Sequence, residues 1–175
     1  MGPSHDNRGP MLRILRQPNF ARLWLGGLIS MMGNWILIVG LPFETTMAGA
    51  ALVFGGVIER YPDINFCLCH GGGFLPYQAG RFMHAFRVRD EAKARLRGSP
   101  QDSLSRLHYD TILHSPRALE FLIAALGPGR VLMGSDYPFD MGELGCVSRV
   151  EGLGISRASR DAILGGRADE MLRHG

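Results

Sequence analysis

Lysine is nearly absent from this chain: Lys93 stands alone against eighteen arginines among 175 residues. The net charge of +3 is no guide to a partner, because residues 1–22 carry Arg8, Arg13, Arg16 and Arg22 against Asp6, and the remaining residues balance. The arginines make no stripe, so a nucleic-acid surface is excluded as a reading of the basic pI. Cysteine is also scarce. Cys67, Cys69 and Cys146 are odd in number, and the spacing Cys67-x-Cys69 is neither the C-x-x-C of a redox or zinc site nor one that bridges easily. A secreted disulfide scaffold is excluded, and the cysteines are expected as small buried apolar residues.

What the chain does have is apolar content: 46% of residues are hydrophobic, enough for one domain with a core and too much for general disorder. The longest uncharged run is Leu23–Phe43, LWLGGLISMMGNWILIVGLPF. Its 21 residues suit a helix crossing a bilayer about 30 Å thick. The arginines before it would keep the N-terminus cytoplasmic, with Trp24 and Trp35 as interfacial residues. Two other readings stand beside this one: a buried helix of a soluble barrel, and a signal peptide ending in Ala48-Gly49-Ala50. Residues 1–43 are therefore expected to form a basic tail and hydrophobic helix, and residues 44–175 a separate globular part.

In that second part the spacing predicts a helix over 45–58, a strand at Asn65–Cys69 and a largely helical stretch over 75–94. A loop is expected at 98–102 and a strand over 107–113. Ser115-Pro116 opens a helix to Leu126, Gly127-Pro128-Gly129 breaks it, and Val131–Ser135 forms a third strand. Helices over 157–164 and 168–173 close the chain. Strand–helix alternation implies α/β architecture with a parallel sheet.

Chemistry-bearing side chains follow the strands. His70 comes before Gly71-Gly72-Gly73, where backbone can approach a ligand closely, and its imidazole can bind metal or take a proton from water. It can equally be a core histidine beside a tight turn. Asp136 ends the apolar run Val131-Leu132-Met133, where a carboxylate is costly unless paired or metal-bound. Asp110 reads as a structural partner of nearby backbone, and His114 as a neighbour of the helix start. His84 and His108 read as surface or packing residues. In βα barrels the active site gathers where these residues stand, at the carboxyl ends of the strands.

The segments ETTMAGAALVFGGVIERYPDINFCLCHGGGFLPYQAGRF, LHYDTILHSPRALEFLIAALGPGRVLMGSDYPFDMGE and ILGGRADEML resemble the C-terminal half of the amidohydrolase-related family. The nearest branch is the aminocarboxymuconate-semialdehyde decarboxylase type. The likeness covers about residues 42–173. It implies a partial (β/α)8 barrel made of the last three or four βα units. It also implies hydrolysis or non-oxidative decarboxylation of a small carboxylic acid, and a divalent metal, usually zinc, in a cytoplasmic enzyme. By the resemblance Asp136 is the metal ligand of the last strand, and His70 is the catalytic histidine that meets metal-bound water or substrate. The family's H-x-H pair has no counterpart, since no two of the six histidines stand two apart. Residues 11–43 resemble instead the first transmembrane helix of major facilitator transporters, with a seam near Leu41-Pro42-Phe43. Three expectations follow: an enzyme active only in company, an inert fused or truncated fragment tethered to a membrane through residues 23–43, or, least of all, a membrane protein proper. Half a barrel would also leave exposed sheet edges that favour self-association.

Overall fold

The computed structural model describes residues 40–173. Nearly all of the expected span over 23–43, and the transporter-like stretch 11–39, lie outside the described residues. Among the described residues, no helix is long and apolar enough to cross a membrane.

Helix α1 covers residues 40–54. It begins before the expected Thr45, and the two threonines are interior residues rather than caps. Thr45 Oγ1 donates to Leu41 O (3.1 Å) and Thr46 Oγ1 to Pro42 O (2.7 Å), bonds that a helix interior offers one turn back. The expected single helix breaks at Gly55-Gly56, where Gly56 has φ +67°, and resumes as α2, Val57–Arg60.

Three short parallel strands follow, β1 (Cys67–Leu68), β2 (His108–Asp110) and β3 (Val131–Leu132), in the order β1-β2-β3. Each is shorter than its apolar run, because the residues that continue each run turn into the loop that carries the site. Leu68 pairs with Tyr109 and Tyr109 with Val131. All three are buried against the helices. Their neighbours at odd positions point to the other face, and there Cys67 and Cys69 are exposed. This corrects the expectation of buried cysteines. Only Cys146 is buried.

The covering helices are α3 (Leu75–Val88), α4 (Pro100–Leu104) and α5 (Pro116–Leu126). The stretch 75–94 is thus helical only to Val88, with a separate 3-10 turn at Asp90–Ala92. The expected loop at 98–102 is in fact the start of α4. Ser99 caps it by accepting from Gln101 N at 3.2 Å, and Pro100 takes the first turn. Ser115 caps α5 in the same way, accepting from Ala118 N at 3.4 Å. Helix α6, Cys146–Glu151, was not expected. The chain ends in α7 (Arg157–Asp161), a π-helical turn (Ala162–Gly166) and α8 (Arg167–Arg173). Met133 N donates to Ile163 O at 3.0 Å, so this last segment fixes the exit of β3.

Candidate functional site

Three loops leave the carboxyl ends of the strands, and each holds one non-glycine residue in the left-handed region: His70 (φ 54°), His114 (φ 51°) and Asp136 (φ 56°). No other non-glycine described residue has positive φ. An L-residue in that region is disfavoured by about 1–2 kcal/mol, and such conformations persist where the surrounding fold over-determines them, which happens most at functional sites.

The loops are locked to one another. Asp110 Oδ1, at the end of β2, accepts from Gly71 N at 2.8 Å and from Ile112 N at 3.1 Å. That is the backbone-holding role expected of Asp110. Gly71 must be glycine: its φ is +59°, and a Cβ there would lie 2.5 Å from the Leu113 side chain. Thr111 Oγ1 accepts from Gly134 N at 3.1 Å, joining the end of β2 to the end of β3. Glu143 N donates to Ser135 O at 2.7 Å, folding the long loop after β3 back beside Asp136.

Within this frame His70 Nε2 stands 3.7 Å from Asp136 Oδ2, and both side chains keep about a quarter of their surface exposed (24% and 22%). The distance is an ion-pair separation, too long for a direct hydrogen bond. His70 Nδ1 is buried and has no hydrogen-bond partner. Two donors at this spacing can face one cation, but a catalytic zinc takes three protein ligands. Among the described residues, no group of three or more histidine, cysteine, aspartate or glutamate side chains is placed to hold a metal. Residues 1–39 contribute only His5 and Asp6 of these types. The pair fits part of a divalent-metal site and does not make a whole one.

His114 does more than adjoin a helix start. Its Nδ1 lies 3.8 Å from Glu143 Oε2. Arg149 grips the other carboxylate oxygen, with Nε donating to Oε1 at 2.6 Å and Nη2 also in contact. That hydrogen bond raises the Arg149 pKa above its ordinary value. Sequence reasoning missed Glu143 and Arg149, since 29 residues separate His114 from Glu143 and no local pattern links them. An open recess of about 420 Å³ borders this group, lined by Glu120, Glu143 and Arg149 among others. A cavity of about 200 Å³ lies elsewhere, under α3 and α5 beside Tyr109 and Arg130. Neither is lined by His70 or Asp136.

Two further groups have displaced pKa values. The Cys67 thiol is pushed up to about 11, first because the surrounding protein desolvates it and then by the Asp110 carboxylate and Cys69. His108, assigned to surface or packing, is fully buried at the start of β2. Burial, followed by Arg130 and Arg167, pulls its pKa down to about 4. Its Nε2 lies 3.3 Å from Arg130 Nη1.

The profile of the Amidohydrolase family matches residues 19–173. The match opens well upstream of the seam expected near Leu41–Phe43. The chain is 36% identical to the 2-amino-3-carboxymuconate-6-semialdehyde decarboxylase of Dictyostelium discoideum over 137 residues, which are 77% of this chain and 38% of that protein. Its fold is similar to that of the 5-carboxyvanillate decarboxylase from Sphingomonas paucimobilis (TM-score 0.67, 22% identity, 77% of this chain and 41% of that one). It is also similar to the dihydroxybenzoic acid decarboxylase from Polaromonas sp. JS666, solved with bound manganese and 2-nitroresorcinol (TM-score 0.66, 24% identity, 75% of this chain and 40% of that one). The chain spans about two fifths of the length of these relatives.

Proposed function

The chain belongs to the amidohydrolase family, and from that membership we propose that it forms the last three βα units of a metal-dependent barrel. We further propose that it supplies two working side chains of a non-oxidative decarboxylase of small carboxylic acids. The observation that carries this reading is the approach of His70 Nε2 to Asp136 Oδ2, 3.7 Å apart, from two strands that β2 separates. Decarboxylation breaks a carbon–carboxylate bond, releases CO₂ and leaves a carbon that must gain a proton. His70 is the group suited to carry that proton at Nε2. Asp136 is one ligand of a divalent ion, with zinc as the expected metal, and the remaining ligands lie outside the described residues. The likeness to named decarboxylases supports decarboxylation over hydrolysis.

The experiment is CO₂ release from a panel of small aromatic and unsaturated carboxylic acids, with zinc or manganese present. His70→Asn and Asp136→Asn should each abolish any turnover, whereas equal turnover by the wild type and both variants overturns the assignment. A second reading has its own support. The incomplete donor set favours a chain that is inert by itself, and a wild type with no turnover under any metal would select it. Among the described strands β1 and β3 each have one unpaired edge, which supports self-association. A single sharp monomer peak in size-exclusion chromatography would contradict that.

A further inference from the structure

The mouth contains a third strained side chain that the proposed reaction does not use. The inference rests on the reading above, in which the substrate is a carboxylic acid. His114 follows β2 as His70 follows β1 and Asp136 follows β3, and its φ of 51° matches theirs. Two contacts pin it to both neighbours. Leu113 packs on Gly71, and Glu143, which faces His114, is bonded through its amide to Ser135 O at 2.7 Å.

The electrostatics point one way. The Glu143 side chain is only 12% exposed. Arg149 occupies Oε1, while Oε2 is buried and has no hydrogen-bond partner. A buried carboxylate oxygen left unpaired is costly, and His114 Nδ1 faces it at 3.8 Å. The His114 side chain is 45% exposed, which leaves its far edge open to a ligand. Glu120 is the other carboxylate bordering the adjoining recess.

We propose that Arg149 and Glu143 are positioning residues that hold His114 with a proton on Nδ1, and that its outward Nε2–H anchors a carboxylate of the substrate. A substrate with two carboxyl groups suits the arrangement best. His114 grips one, and the other is presented to His70 and Asp136. The order Arg149, Glu143, His114 is a cation–anion–cation relay, so a bound anion completes an alternation of charge instead of opposing it.

The test uses the full chain, labelled with ¹⁵N at histidine, and phthalate as the probe. Ring nitrogen shifts should report a protonated Nδ1 on His114 in the wild type and lose that signature in Glu143→Gln. Glu143→Asp should restore it in part. Phthalate should move the His114 signals and bind at least fivefold more weakly to Glu143→Gln and to His114→Asn, a substitution that tolerates left-handed backbone. His114 signals that ignore phthalate in the wild type overturn the proposal, as does equal affinity in folded variants. The two readings fail separately. A chain with no turnover whose His114 still answers phthalate through Glu143 keeps the anchor and loses the reaction. A chain with turnover and a silent His114 does the reverse.

Discussion

The Asp110 carboxylate accepts the Gly71 amide at 2.8 Å, so the end of β2 holds the glycine that follows His70. The same oxygen also takes the Ile112 amide at 3.1 Å. Asp110 touches neither the proposed proton carrier nor the proposed ligand, yet it fixes the loop on which one of them stands.

Asp110→Ala should therefore lower stability by about 1–3 kcal/mol, the usual cost of leaving partly buried amides without an acceptor. It should also raise hydrogen exchange at Gly71 and Ile112. Asp110→Asn keeps an oxygen and should fall between alanine and wild type. Urea denaturation and exchange mass spectrometry measure both effects, and an alanine variant with unchanged protection at Gly71 would contradict the role.

His108 should make the fold acid-sensitive. Its pKa is about 4 when folded against 6.5 for the free side chain, so the unfolded chain binds the extra proton between those values. The stabilisation is fully present above pH 6.5 and is lost as pH falls toward 4. It is worth about 3 kcal/mol at most. Urea midpoints at pH 7.5 and 4.5 should differ by less in His108→Gln than in the wild type, and an equal difference in both would remove His108 as the cause.

Cys67 should react slowly although it is exposed. With its pKa near 11, little of it is thiolate at pH 8, and the thiolate is the nucleophile. Alkylation with iodoacetamide, followed by peptide mass spectrometry, should show slow modification of Cys67. Asp110→Asn should accelerate it by removing a carboxylate that disfavours the thiolate. Rapid labelling of the wild type would contradict the shift.

The parts of this fold written in neighbouring residues were legible. Ser115-Pro116 announced α5, Gly127-Pro128-Gly129 ended it, and apolar runs marked each of the three strands. Helix α4 was missed because Gly98-Ser99-Pro100 reads as a turn, yet Ser99 followed by Pro100 is equally a helix start. Helix α6 was missed because Gly145 and Gly152 flank it and its six residues show little period. The exposure of Cys67 and Cys69 depends on what covers the second face of the sheet, which no local pattern encodes. In the site, His70 and Asp136 were visible because each closes an apolar run. Their separation of 3.7 Å depends on the register of three strands. The His114–Glu143–Arg149 group is wholly a product of tertiary folding, and His114 looked like part of a helix start for that reason. The uncharged run at 23–43 carried a membrane signature in its composition, whereas the family match passes through it from residue 19.

The most direct test of the central claim is paramagnetic broadening by Mn²⁺ of the His70 ring signals in the full-length chain. If Asp136 is a ligand and His70 stands beside it, substoichiometric Mn²⁺ should broaden His70 selectively in the wild type and leave it sharp in Asp136→Asn. Broadening that is absent, or that survives the substitution unchanged, would contradict the account.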